Sequence, residues 1–305
     1  MFPGQGAQFV GMGKDFYEGF AWAKDMYDQA NDLLGKDITR ICFEGPEEEL
    51  KLTENAQPAI LIHSIIALKC LRENGIDAVV AAGHSLGEFS ALTAAGALEF
   101  SDAVTVVQKR GQYMQEAVPV GVGAMAAIIG LSFEVIKEIC DRLSREDNII
   151  QPANMNSPSQ IVVAGHKSVV EEFIVEAKKS GSKKSVLLPV SAPFHCSLMK
   201  PAEVKLKVKL EETNFNDLKF PVVTNVDCVP VTIGANARDS LVRQVCSPVR
   251  WTETMGYMVA EKVERIVELG PGKVLTGLMK RYDKSIPCIP IGDRESLDKA
   301  VATFD

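Results

Sequence analysis

The chain lacks the features that would set it apart from ordinary globular proteins. Its seven cysteines (Cys42, Cys70, Cys140, Cys196, Cys228, Cys246 and Cys288) are scattered, odd in number and never spaced as CxxC. That pattern argues against a disulfide framework and a cysteine-based zinc site, and predicts a reducing compartment. Long apolar runs are missing too. The longest mostly apolar stretch, Pro58 to Leu71, contains His63 and Lys69 and is too short to span a bilayer. The opening Met-Phe-Pro-Gly-Gln-Gly has no basic region followed by an apolar one, so a cytoplasmic, soluble, unanchored protein is expected. Positive charge is in deficit, with 33 Lys and Arg against 40 Asp and Glu, a net charge of −7. A global basic field is therefore absent, and neither nucleic acid nor membrane is an expected partner. Internal repeats, low-complexity segments and heptads are also absent, and a monomer is expected.

What remains is 305 residues, 46% hydrophobic and 24% charged, enough for a large core and about two domains' worth of chain. Apolar residues at helical spacing predict a buried helix from Pro58 to Arg72, with Pro58 in its first turn. The run Asp77 to Ala82, without polar alternation, reads as a strand buried on both faces of a parallel sheet. Helical patterns return from Glu88 to Ala97 and from Asp102 to Ala117, which is α/β organisation. Pro119-Val-Gly-Val-Gly123 breaks the pattern and suggests a domain crossing. From Ala124 to Val190 the elements then read β-α-β-β-α-β, the ferredoxin-like order, sized for a small inserted unit.

Gly83-His84-Ser85-Leu86-Gly87 fits G-x-S-x-G between the expected strand and helix, the setting of a nucleophile elbow. The alternative is an ordinary glycine-rich turn carrying a solvated serine. A serine nucleophile needs a base. Of the four histidines, His63 reads as a packed core residue, His84 as structural and His166 as a surface residue. That leaves His195, in a polar, proline-containing loop where the inserted unit ends. Arg110 lies on a helix offering Val104, Val106, Val107 and Met114 to the core, so it either snorkels to solvent, the commoner outcome, or is held inward by an anion. Gln5 sits between two glycines, in a turn suited to close backbone approach or simply to the surface.

Six segments together resemble a known family. They are residues 2–8 (Phe-Pro-Gly-Gln-Gly-Ala-Gln), 83–92 around Ser85, 108–115 around Arg110, 192–199 (Ala-Pro-Phe-His-Cys-Ser-Leu-Met), 244–251 (Gln-Val-Cys-Ser-Pro-Val-Arg-Trp) and 268–278. The chain resembles, over nearly its whole length, the malonyl-CoA:acyl carrier protein transacylases and the acyltransferase domains of fatty-acid and polyketide synthases. The resemblance implies an α/β-hydrolase-like large subdomain with a parallel-sheet core (1–121 and 192–305) and a ferredoxin-like small subdomain (122–191). It implies Ser85 as nucleophile and His195 as base, oriented by a main-chain carbonyl near Gln244. The oxyanion hole would use the N–H groups of Gln5 and Leu86, Arg110 would pair with the malonyl carboxylate, and Phe194 would disfavour an α-methyl branch. No cofactor is implied; the expected partners are malonyl-CoA, coenzyme A and acyl carrier protein, and the expected pathway is fatty-acid biosynthesis. The alternatives are a trans-acting acyltransferase of a polyketide synthase, an acyl-thioester serine hydrolase, and a docking module without turnover. The family normally carries an apolar strand immediately before the Phe2 motif, whereas only Met1 precedes it here, a departure that bears on the sheet edge and on Gln5. Both substrates are anionic, so local basic groups must offset the net charge; Lys183 with Lys184, and Lys280 with Arg281, are the candidates.

Overall fold

The computed structural model describes residues 1–190 and 192–304. Ser191, the last residue of the expected insert, lies outside them. Among the described residues the strands are β1 (Ala81–Ala82), β2 (Gly123–Ile129), β3 (Ile150–Ser157), β4 (Gln160–His166), β5 (Lys184–Leu187), β6 (Val222–Val223), β7 (Pro230–Val231), β8 (Ile266–Leu269) and β9 (Cys288–Ile291). Helices fill most of the remaining chain, giving an α/β fold with mixed sheets.

In the larger part, β1 runs parallel to β6, β6 antiparallel to β7, and β8 parallel to β9. The first two residues join these short ladders. Phe2 N donates to Ala82 O (2.9 Å), His84 N to Phe2 O (3.0 Å) and Leu269 N to Met1 O (2.9 Å). The Phe2 segment therefore lies between β1 and β8 rather than at an edge, directly beneath the Gln5 turn.

The expected strand from Asp77 shrinks to Ala81–Ala82, and Val79 is 81% exposed. Asp77 explains the loss: its Oδ1 accepts from Ala78 N (2.8 Å) and Arg72 Nε (3.0 Å), turning the chain before it can join the sheet. The buried helix spans Thr53–Glu73, so Pro58 lies in its interior instead of its first turn. Asn55 N and Ala56 N both donate to Leu52 O (2.8 Å each), starting the helix ahead of the apolar pattern. It packs against the helices Leu86–Ala94 and Phe100–Glu116, which hold Ser85 and Arg110.

Between residues 123 and 187 the sheet order is β3-β4-β2-β5, antiparallel throughout, with the helices Phe133–Leu143 and Lys167–Lys179 packed on it. Ile128, Ile136, Ile139, Val163, Val170 and Phe173 form a core separate from the main one. Two seams attach this unit to the rest. Val249 N donates to Ala153 O (2.8 Å) and Met155 N to Val249 O (2.9 Å), extending the sheet past β3. At Gly123, a Cβ would fall 2.3 Å from Pro193 Cδ, so the chain enters and leaves the unit at the same place. His195 follows two residues later.

Candidate active site

Ser85 sits in the sharp turn between β1 and the helix Leu86–Ala94. Its backbone is at φ 53°, ψ −105°, outside the ordinary regions for a residue with a side chain, a strain of about 1 to 3 kcal/mol. The flanking glycines make the turn possible. A Cβ on Gly83 would lie 1.8 Å from Gly87 O, and one on Gly87 would lie 2.1 Å from Phe2 O. Asn225, just past β6, clamps both sides of the turn: its Oδ1 accepts from Ser85 N (2.7 Å) and its Nδ2 donates to Gly83 O (2.7 Å).

His195 Nε2 lies 2.7 Å from Ser85 Oγ, and its Nδ1 lies 3.0 Å from Gln244 O. A carbonyl only accepts, so Nδ1 carries the ring proton and the Nε2 lone pair faces the serine hydroxyl. Burial, reinforced by the Arg110 charge, pushes the imidazole down to about 3 and keeps it neutral. The other histidines are committed elsewhere. His63 is fully buried with Nε2 3.0 Å from Gly292 O, and His84 Nε2 lies 2.8 Å from Asn156 Oδ1. His166, expected at the surface, is half-buried: as the residue before a helix at a strand end, it accepts from Ile149 N through Nδ1 (3.0 Å).

Arg110 does not snorkel. It is 1% exposed and lies over the Phe89 ring, with Cζ 5.4 Å from the centroid. Its Nη1 donates to Gln57 Oε1 (2.9 Å), and its Nη2 donates to Gln244 Oε1 (2.8 Å) and Ser85 Oγ (3.1 Å). All three acceptors are neutral, and Nε has no partner. A buried cation with only neutral acceptors can gain much from an incoming carboxylate.

Beneath this cluster lies Glu88, fully buried, which the sequence reading did not single out. Its Oε2 accepts from Gln244 Nε2 (2.8 Å) and Asn225 N (3.0 Å), and its Oε1 from Ser240 Oγ (3.3 Å). Burial pushes its carboxyl up to about 7 against those hydrogen bonds. The available signal was the one charged residue of the helix Leu86–Ala94, one turn after the serine. Gln57 and Asn225 carried no comparable signal, since each reaches the site from an element distant in sequence.

The remaining expected residues gather around the same point. Gly4 presses against the His84 backbone, where a Cβ would lie 2.4 Å from His84 O, bringing the Gln5 turn beside the elbow. Gln5 Nε2 donates to Thr53 Oγ1 (3.2 Å), and Leu86 opens the helix after the serine. Phe194 is buried beside His195. Among the described residues, no group of three or more His, Cys, Asp or Glu could hold a metal ion.

This constellation can be set beside known proteins. The sequence model of the acyl transferase domain family matches residues 1–296. The chain belongs to that family. Within it, the chain is 46% identical over 304 residues to the malonyl CoA-acyl carrier protein transacylase of Bacillus subtilis (strain 168), covering 100% of this chain and 96% of that protein. Among solved structures, an acyl carrier protein S-malonyltransferase from Vibrio cholerae superposes with a TM-score of 0.95 at 45% identity, covering 98% of both chains. A malonyl-transacylase solved in complex with a type II polyketide synthase acyl-carrier protein gives a TM-score of 0.96 at 44% identity, covering 99% and 98%. The acyl transferase family thus covers both the elbow and the histidine loop of this chain.

Proposed function

We propose that this chain transfers a malonyl group from malonyl-CoA to the phosphopantetheine thiol of an acyl carrier protein through a malonyl-Ser85 ester. The observation that carries the reading is the Arg110 guanidinium hydrogen-bonded to the nucleophile itself, Nη2 to Ser85 Oγ at 3.1 Å. An acyl group on Ser85 is thereby delivered next to a buried cation, which a terminal carboxylate satisfies and a methyl group does not.

Ser85 Oγ attacks the thioester carbonyl while His195 Nε2 takes its proton. The carbon–sulfur bond then breaks, and the thiol of coenzyme A leaves with that proton. Acylation changes Oγ to an ester oxygen, a weaker acceptor, and frees an Arg110 N–H for the malonyl carboxylate. In the second half-reaction the carrier thiol gives its proton to His195, its sulfur bonds to the acyl carbon, the ester bond between that carbon and Ser85 Oγ breaks, and Oγ regains the proton from His195. The covalent intermediate makes the kinetics ping-pong. Gln5 N and Leu86 N serve the oxyanion, where losing one donor costs about 3 to 4 kcal/mol of barrier. General-base help from His195 contributes about 10²- to 10⁴-fold. Gln244 orients the imidazole through its carbonyl, so no acidic third member is required. Phe194 narrows the acyl site against an α-methyl branch, favouring malonyl over methylmalonyl.

The finer architecture belongs to the same proposal: an α/β-hydrolase-like unit of 1–121 and 192–305 carries Ser85, and a ferredoxin-like unit of 122–191 closes over it. The enzyme works without a cofactor, as a cytoplasmic monomer. Its pathway is fatty-acid biosynthesis; the equally similar transacylase bound to a polyketide carrier supports a trans-acting polyketide role as the second reading. The carrier docks at a basic end of the small unit, where Lys184 pairs with Ile129, Ile129 with Gln160, and Arg281 Nη2 reaches Gln160 Oε1 (3.4 Å). Lys183 adjoins Lys184 there, exposed like its neighbour, so both residues of the first candidate pair and Arg281 of the second converge on this end.

Intact mass after incubation with malonyl-CoA tests the reading: wild type gains one malonyl group and Ser85→Ala gains none. A malonyl group retained by Ser85→Ala would refute it.

A further inference from the structure

Resting on that reading, we propose that Glu88 is the positioning residue for dicarboxylate selection, fixing the Gln244 amide so that its oxygen faces Arg110. Gln244 stands between a donor-only guanidinium and a carboxylate that, when ionised, only accepts. Its Oε1 accepts from Arg110 Nη2 (2.8 Å), while its Nε2 donates to Glu88 Oε2 (2.8 Å) and Ser85 O (3.0 Å). An amide turned over would aim its NH₂ at the guanidinium and its oxygen at both the carboxyl oxygen and the Ser85 carbonyl. Glu88 therefore reinforces, together with the Ser85 carbonyl, the orientation that presents the Gln244 oxygen to Arg110.

Several elements meet at this carboxyl. Glu88 projects from the helix Leu86–Ala94, Gln244 and Ser240 from the helix Gly234–Gln244, and Asn225 from the segment after β6. The elbow clamp has support apart from Glu88, because Arg250 N donates to Asn225 O (3.1 Å). Apart from Arg110 itself, the Gln244 side chain is held by Glu88 and by the Ser85 carbonyl. Removing the acceptor at position 88 should thus disturb Arg110 more than the nucleophile.

The pair of hydrogen bonds at Oε2 also predicts which substitution rescues the function. A glutamine at 88 can place its one oxygen where Oε2 sits, accepting from both Gln244 Nε2 and Asn225 N, and direct its NH₂ to Ser240 Oγ, a group able to accept. Methionine fills similar volume with no comparable acceptor.

Single-turnover loading of Ser85 by malonyl-CoA and by acetyl-CoA, followed by intact mass at pH 8, tests this in wild type, Glu88→Met, Glu88→Ala and Glu88→Gln. Glu88→Met and Glu88→Ala are expected to lower malonyl loading efficiency at least tenfold, mainly through weaker malonyl-CoA binding, with acetyl loading within threefold of wild type. Glu88→Gln is expected to keep the malonyl-to-acetyl ratio within threefold. In a Gln244→Ala background, Glu88→Met should shift that ratio no further. Equal losses for both thioesters, an unchanged ratio in Glu88→Met or Glu88→Ala, or a Glu88→Gln as impaired as Glu88→Met would each overturn the assignment. If either apolar variant does not fold, the other is read alone. If neither folds, a malonyl-to-acetyl ratio lost in Glu88→Gln overturns it and one retained supports it. Wild type that fails to load malonyl on Ser85 would instead count against the functional reading.

Discussion

Arg110 and His195 occupy one buried space, and each shapes what the other can do. The cation discourages protonation of the imidazole, while burial and three neutral acceptors leave the cation ready for a carboxylate. Arg110→Ala is expected to lower malonyl loading of Ser85 by at least 10²-fold, reducing the preference for malonyl over acetyl. Arg110→Lys should not restore it, because an ammonium cannot reproduce a planar fork reaching Gln57, Gln244 and Ser85 together. Loading rates with both thioesters check this, and full rescue by lysine would contradict it. At this scale the sequence was informative where chemistry is local. Ser85 declares itself through adjacent glycines, and His195 remains once three other histidines are set aside. The inward turn of Arg110 was legible only through family resemblance, since an arginine on an apolar helix ordinarily snorkels. Glu88, Gln57 and Asn225 depend on pairings across 53 to 156 residues, which no local pattern encodes.

The elbow is an element whose shape admits no Cβ at either glycine. A Cβ on Gly83 would overlap backbone atoms of Gly87 and Glu88, with no flexible side chain to yield. Gly83→Ala should cost about 3 kcal/mol or more and lower Tm by more than about 5 °C. A melt indistinguishable from wild type would show that the turn is looser than described. The basic end of the small sheet supports a second prediction at this scale. Reversing Lys183 and Lys184, or Lys280 and Arg281, to glutamate should weaken the apparent affinity for carrier protein and flatten its dependence on salt, leaving malonyl loading of Ser85 intact. No change at either pair would remove the docking proposal. Element types were readable from periodicity, whereas their ends were set by single side chains and caps. Asp77 cuts β1 short through its own turn, and Leu52 starts the long helix early by accepting from two successive N–H groups.

Across the whole molecule, the balance of buried titratable groups makes stability depend on pH. Burial pushes His63 down to about 4, so the unfolded chain takes up a proton below about 6.5 that the folded chain refuses. The stability held above pH 6.5 is lost as pH falls towards 4, by about 2 kcal/mol at pH 5. His195 acts in the same direction, whereas Glu88, pushed up to about 7, favours the fold at low pH. His63→Gln should therefore show a smaller fall in Tm between pH 7 and pH 5 than wild type, and an equal fall would contradict the assignment. The net charge of −7 makes the local basic end necessary if an acidic carrier is to approach. The β-α-β-β-α-β element order between glycine-rich and proline-containing loops was visible in sequence. The joining of two short ladders through Met1 and Phe2 was not, because two residues carry no strand signal.

The central claim is that Ser85 carries a malonyl group whose carboxylate Arg110 selects and which a carrier protein then removes. The direct measurement is intact mass after brief incubation with malonyl-CoA, acetyl-CoA or methylmalonyl-CoA, repeated for Ser85→Ala and followed by phosphopantetheinylated acyl carrier protein. One malonyl group on wild type, little from the other thioesters, none on Ser85→Ala, and transfer of that group to the carrier are expected. A malonyl group lost equally fast without carrier, or loading that ignores the terminal carboxylate, would contradict the account.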